Sequence, residues 1–182
     1  MKILLGVTGS ISAYKAADIA NKLTKEGHDV SVILTEGGSK FITALTLQTL
    51  TKNRVYEDAF SEEDPTRVMH IDLAQSADMI LVAPASANII GKIAGGIADD
   101  LLSAAIIAAR RETPVYIAPA MNTLMYENPI VQENIARLQS LGYNFIEPKE
   151  DHLACGTTGK GALADVDTIV DTVKLVGGVA GL

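Results

Sequence analysis

The sequence contains no tryptophan, one cysteine and three histidines among 182 residues, and aromatic side chains make up only 4% of it. A lone cysteine excludes an internal disulfide framework and fits a reducing compartment, so a cytoplasmic location is expected. Basic residues are outnumbered 15 to 22, giving a net charge of −7. That balance argues against nucleic acid or an anionic membrane surface as partner, since both call for a basic face. No apolar run approaches the ~18 residues of a membrane span. The opening Met1-Lys2-Ile3-Leu4-Leu5 starts like a secretion signal, but Thr8, Ser10, Ser12 and Lys15 interrupt it. There is no internal repeat and no low-complexity stretch.

What is present is apolar and small: 48% of the residues are hydrophobic and 15 are glycine. Small side chains let helices approach a sheet closely, which favours layered α/β packing. Short β-branched runs alternate with helical patterns. Strands are expected at 2–7, 29–34, 79–83, 114–118 and 143–146, and helices at 12–26, 39–50, 65–76, 130–141 and 164–176, with two more helices within 89–110. Asp64 and Pro65 suit the start of the helix ending near Ser76, and Asp99-Asp100 reads as a helix start rather than an acid–base dyad. Strand–helix alternation with short connections predicts one doubly wound, mostly parallel sheet over residues 1–176, with 177–182 as a loose tail.

In such a sheet, ligands bind beyond the carboxyl ends of the strands. Four of those ends carry small or hydroxyl residues: Thr8-Gly9-Ser10-Ile11, Thr35-Glu36-Gly37-Gly38, Pro84-Ala85-Ser86-Ala87-Asn88 and Pro119-Ala120-Met121-Asn122. Backbone N–H groups at a helix opening near Ser10 can hold a phosphate without a lysine. The first turn lacks the spacing of G-x-G-x-x-G, although Glu36 leaves a ribose contact, and hence a nicotinamide cofactor, open. Gly156 to Gly161 imitates a P-loop but has Ala154 and Gly161 at two defining positions. A mononucleotide with one phosphate and a flat ring, such as FMN, fits these strand ends better. His28 reads as a helix-end residue, and His152 has no Cys/His pair to complete a metal site. His70, among Val68, Met69, Ile71 and Leu73, taken alone reads more readily as a buried structural residue than as a functional one. Cys155 sits among Gly156, Gly159 and Gly161, a setting unlike that of an inert core cysteine.

Pro84-Ala85-Ser86-Ala87-Asn88, Pro119 to Met125, His70-Ile71-Asp72-Leu73, and Ala154-Cys155-Gly156 with Gly159 and Gly161 together resemble the motifs of the homo-oligomeric flavin-containing cysteine decarboxylases. The resemblance runs from about Lys2 to Val173. It implies a Rossmann/flavodoxin-like three-layer sandwich that binds FMN through Gly9, Ser10, Ile11, Thr35, Gly37, Phe41, Ser86, Ala87, Asn88 and Ala120. His70, Cys155 and Asn122 are then catalytic. Asn122 holds the substrate carboxylate, with Met121, Ala154 and Gly156 beside it. The implied reaction converts 4′-phospho-N-pantothenoylcysteine to 4′-phosphopantetheine in coenzyme A biosynthesis.

The chemistry has a clear requirement: a carboxylate next to an amide nitrogen loses CO₂ only if the carbanion finds an electron sink. Transient oxidation of the neighbouring thiol to a thioaldehyde supplies one, loss of CO₂ leaves an enethiolate, and reduced flavin returns the electrons. The resemblance also implies a trimer or dodecamer with sites at subunit boundaries, His70 serving a neighbouring chain, and a separate phosphopantothenate–cysteine ligase in the pathway. Three positions depart from the pattern: Tyr126 stands where Trp is common, and Ala162 and Gln75 where Arg is common. The same motifs suit a peptidyl-cysteine decarboxylase of lantibiotic type. A flavin-binding regulator of a phosphatase and a flavin prenyltransferase are further alternatives.

Overall fold

The computed structural model describes residues 1–59, 68–152 and 158–179. β1 (Lys2–Val7) is buried on both faces beyond its first residue, as its unbroken apolar run requires. A 3₁₀ turn (Ile11–Tyr14) leads into α1 (Lys15–Lys25), which buries Ala16, Ile19, Ala20 and Leu23 at helical spacing. After β2 (Asp29–Leu34) come two short helices, α2 (Glu36–Ser39) and α3 (Ala44–Thr51), then the two-residue strand β3 (Val55–Tyr56). The chain continues through α4 (Met69–Ser76), β4 (Met79–Ala85), α5 (Ala87–Gly95), α6 (Leu101–Ile107) and β5 (Val115–Pro119). It ends with α7 (Thr123–Tyr126), α8 (Pro129–Ser140), β6 (Asn144–Phe145), β7 (Lys149–His152), β8 (Thr158–Ala162) and α9 (Val166–Val179).

Six strands form one parallel sheet in the order β3-β2-β1-β4-β5-β6. One face packs against α1, α3 and α9 through Ile19, Leu23, Leu47, Ile169 and Val173. The other packs against α4, α5, α6 and α8 through Ala74, Ile90, Leu102, Ile106 and Leu138. This is the three-layer, doubly wound α/β sandwich the alternation predicts. Among the described residues, no helix is long and apolar enough to cross a membrane.

Asp100 does start a helix. Its carboxylate accepts from the Ser103 N–H at 2.8 Å, and the Ser103 hydroxyl accepts from the Asp100 N–H at 3.2 Å, a reciprocal cap. Lys92 reaches Asp99 at 2.7 Å and Asp100 at 2.6 Å. Burial alone would push the Asp100 carboxyl up, but the bonds from Lys92 and Ser103 outweigh it and hold the group below its ordinary value.

Several boundaries differ from the sequence expectation. The helix expected from Ser12 opens as a 3₁₀ turn, because the Ser10 hydroxyl caps Ser12 N–H and tightens the first turn. The helix expected over 39–50 is two pieces, each with its own threonine cap, Thr35 on Gly38 N–H and Thr43 on Thr46 N–H. The helix ending at Ser76 begins at Met69, and the cap assigned to Asp64 and Pro65 lies outside the described residues. α9 runs past Val176 to Val179, and Gly177, expected in the tail, lies against the Met1 side chain. Tyr143–Ile146 is not the last strand, because β7 and β8 follow as an antiparallel pair where a glycine-rich loop was expected.

Candidate active site

The strand order changes direction between β1 and β4, each followed by a connection leading to an opposite face, and the crevice for a ligand opens there. Thr8 stitches the two strand ends together. Its hydroxyl donates to the Pro84 carbonyl at 2.8 Å and accepts from the Ser86 N–H at 2.9 Å, and the side chain is almost completely buried. Sequence reasoning named the Thr8 turn but assigned Thr8 no role. The visible signal was a hydroxyl residue at the end of an otherwise apolar strand.

Thr8→Val keeps the shape but strands the Ser86 N–H. An unsatisfied buried donor costs about 1–3 kcal/mol, which in a chain of this size is roughly a 3–10 °C fall in Tm. Thermal melting of the variant checks this, and an unchanged Tm contradicts it.

Ser86 caps α5 by accepting from Ile89 N–H at 3.4 Å, and Thr35 donates to the Val7 carbonyl at 3.1 Å while accepting from Gly38 N–H at 3.2 Å. The turns after β1 and β2 touch through glycine. A Cβ at Gly9 would lie 3.1 Å from the Gly37 Cα, and one at Gly37 equally close to Gly9. Any larger residue would force these two loops apart.

A cavity of about 530 Å³ lies beyond these strand ends. Gly9, Ser10, Ile11, Ser86, Ala120, Met121 and Asn122, all expected at the site, line it. The motif residues Met125 and Gly161 and the departure Ala162 line it too, and Ser12, Tyr14, Lys15 and Asp151, not assigned to the site from sequence, complete the wall. Among the described residues Lys15 is the one cation that lines it, placed there by the first turn of α1, and its ammonium sits 5.9 Å from the Tyr14 ring centre. Asn122 opens α7, its side-chain oxygen accepting from Leu124 N–H at 2.9 Å. The cap engages that oxygen, so the NH₂ end of the carboxamide is the end suited to donate to a carboxylate.

Other expected site residues lie elsewhere. Thr35, Gly37, Ala87 and Asn88 are not among the residues lining the cavity; Gly37 backs it through Gly9, and Ala87 and Asn88 form the first turn of α5. Phe41 is about half exposed just after α2. His70 is half-buried on α4, in the layer packed against α6, and does not line the cavity of its own chain. Ala154, Cys155 and Gly156 lie outside the described residues. Among the described residues no group of three or more His, Cys, Asp or Glu could hold a metal ion.

The cavity volume falls within the ~300–1,000 Å³ usual for small-molecule and cofactor sites. Among the described residues its lining offers serine hydroxyls, one lysine and the Asn122 carboxamide among glycine and alanine, with one carboxylate, Asp151. A phosphorylated flat ring suits that donor set, so the residues present fit FMN.

Comparison with known proteins agrees with this geometry. The flavoprotein family pattern matches residues 1–176. A probable phosphopantothenoylcysteine decarboxylase of Streptococcus mutans is 52% identical, across 95% of this chain and 97% of its own length. The coenzyme A biosynthesis bifunctional protein CoaBC of Bacillus subtilis is 50% identical over 92% of this chain, which spans only 41% of that longer protein. Among solved structures, a cysteine-to-serine mutant of PPC decarboxylase complexed with pantothenoylaminoethenethiol superposes with a TM-score of 0.89 at 36% identity, covering 97% of this chain and 98% of that one. The FMN binding protein AtHal3 gives a TM-score of 0.83 at 36% identity over 96% of this chain and 95% of its own. The glycine- and serine-lined crevice at the β1–β4 switch therefore sits in a chain that belongs to the flavoprotein family.

Proposed function

We propose that this chain is an FMN-dependent carboxy-lyase that converts 4′-phospho-N-pantothenoylcysteine to 4′-phosphopantetheine in coenzyme A biosynthesis. The observation that carries the reading is the meeting of Gly9–Ile11, Ser86 and Ala120–Asn122, from three separate strand ends, around one cavity. The likeness to the Streptococcus mutans protein over nearly its whole length supports the same activity.

Gly9, Ser10, Ile11, Ser86 and Ala120 hold the cofactor, with Gly37 closing the wall behind Gly9. Bound FMN supplies a reversible two-electron acceptor beside the substrate thiol. Asn122 orients the substrate carboxylate by hydrogen bonding, and as a neutral group it does not hold on the carboxylate the charge that must pass to the carbon skeleton as CO₂ departs. Met121 lies beside it on the cavity wall, and Ala154 and Gly156 are assigned to substrate binding. Lys15 offers the wall's positive charge to the substrate's anionic end, where the departures at Gln75 and Ala162 leave no arginine. His70 accepts the thiol proton as general base. Cys155 returns a proton to carbon at the end of the cycle.

Purified protein that is yellow and releases CO₂ from 4′-phospho-N-pantothenoylcysteine meets this reading. A preparation that stays colourless with added FMN, or that acts only on peptides ending in cysteine, overturns it.

The active assembly in this reading is a homo-oligomer, trimer or dodecamer, in which His70 completes a neighbour's site. Its support is the position of His70 away from its own cavity, together with exposed Ile11, Tyr14 and Met125 on the cavity rim. Co-expressing His70→Asn and Asn122→Asp chains, each silent alone at substrate levels near the wild-type KM, then rebuilds sites with both native residues. Random assembly restores about one quarter of wild-type activity if sites are shared across an interface, and essentially none if each site lies within one chain. In this reading a separate phosphopantothenate–cysteine ligase of the pathway supplies the substrate.

A further inference from the structure

Beside the cavity, a buried tyrosine, a carboxylate and a lysine from three separate segments form a cluster that the reaction as described leaves unused. Tyr126, the last residue of α7, is only 7% exposed. Its hydroxyl donates to the Glu147 Oε2 at 3.4 Å, and the Lys160 ammonium of β8 donates to the same oxygen at 2.7 Å. That ammonium also lies 5.6 Å from the centre of the Tyr126 ring. Burial, then the nearby Glu147 charge, pushes the phenol above its ordinary value, so it stays a neutral donor. Gln132 clamps the other side of the tyrosine by donating to its carbonyl at 2.5 Å.

The cluster connects directly to the site. The Tyr126 N–H donates to the Asn122 carbonyl at 2.9 Å, so a shift of the ring moves the residue that faces the carboxylate. On the opposite side, β8 is fitted against the same turn. The Met121 N–H donates to the Gly161 carbonyl at 2.9 Å. Gly161 has φ +145°, and a Cβ there would come 2.5 Å from the Met121 carbonyl oxygen. A Cβ at Gly159 would come 2.7 Å from the Thr123 hydroxyl. Residues 121–123, which lead into α7, are therefore fitted against β8, and the Lys160–Glu147–Tyr126 contacts join α7 to β8.

We infer that Lys160 and Glu147 are positioning residues that clasp β8 to α7 and so fix the Asn122 carboxamide relative to the substrate carboxylate. The inference rests on the decarboxylase reading for what Asn122 binds, and on the geometry alone for the clasp itself. The pair is partly solvated, at 41% and 61% side-chain exposure, so its effect on global stability is small while its effect on alignment is direct.

Lys160→Met keeps the aliphatic stem and removes the charge; Glu147→Gln keeps the shape and removes the carboxylate. Each lowers kcat by about five-fold, Lys160→Met through loss of the partly exposed ion pair and the cation–π contact, Glu147→Gln through loss of the ion pair. KM changes little, and flavin content and Tm match the wild type. Lys160→Arg retains activity, and the exchanged double variant Lys160→Glu with Glu147→Lys recovers at least half of what either exchange alone loses. Wild-type kcat also declines as salt rises from about 0.05 to 0.5 M, whereas Lys160→Met is insensitive, because screening acts on a charge it no longer has.

Amide hydrogen exchange at Met121 and Tyr126 reads the clasp without turnover, and in Lys160→Met both amides exchange several-fold faster. Wild-type kcat in both single variants, no recovery in the exchanged double variant, or unchanged exchange at Met121 overturns the inference. Absence of CO₂ release from the wild-type protein, with accelerated exchange in Lys160→Met, overturns instead the assignment of the substrate and leaves the clasp standing.

Discussion

Asn122→Asp is expected to fold, bind flavin and lose substrate. An aspartate keeps the side-chain oxygen that caps Leu124 N–H, so α7 survives the change. What changes is the other arm of the side chain, where a hydrogen-bond donor becomes a second negative charge against the substrate carboxylate. Close like charges cost several kcal/mol, and Lys15 on the same wall offsets part of that. At 1.4 kcal/mol for each factor of ten, KM rises roughly 100-fold or more. Titrating substrate against the flavin absorbance of wild type and variant measures it. Unchanged affinity would remove Asn122 from the carboxylate.

The second large effect is expected at Cys155. Serine is isosteric but a far weaker acid than a thiol, whose ordinary pKa is about 8.5. Cys155→Ser therefore retains flavin and begins the reaction but cannot deliver the final proton. Removing a general acid of this kind costs about 10²–10⁴-fold in rate. The product found should be the unsaturated enethiol rather than 4′-phosphopantetheine, readable by mass spectrometry as a species lighter by two hydrogens. The related cysteine-to-serine mutant of PPC decarboxylase was captured with pantothenoylaminoethenethiol, a molecule of that chemical class. Full-rate formation of 4′-phosphopantetheine by Cys155→Ser would exclude the cysteine as the proton source.

Lys160→Met and Asn122→Asp separate two ways of damaging one interaction. The aspartate alters what the substrate meets and acts on KM; the methionine alters how firmly the same residue is held and acts on kcat. Thr8→Val acts on neither directly, since Thr8 joins the β1 and β4 ends beneath the cavity and its loss registers as stability.

The strand and helix alternation was legible because its signals are local. β1 and β4 are uninterrupted apolar runs, α1 repeats its alanines and leucine at helical spacing, and Asp100 announces α6 with a cap. The β7–β8 pair was not legible. Lys149–His152 is wholly polar and Thr158–Ala162 carries two glycines, so neither alternates as a half-buried strand should. Each becomes a strand through its partner, and β8 also through contact with residues 121–123. Lys15, Tyr14 and Asp151 were missed for a related reason: nothing in their own neighbourhoods says which way they face.

Residue order alone established a parallel α/β chain with small, hydroxyl-bearing strand ends, an acidic surface and a set of motifs shared with flavin enzymes. Those properties depend on side-chain periodicity and on composition over a few residues. The folded arrangement established that β1 lies between β2 and β4, that Thr8 bonds to residues 76 and 78 positions away, and that Lys160 reaches the tyrosine beneath Asn122. These are contacts between distant segments, selected when both faces of one sheet are covered at once. No short window of sequence carries that condition.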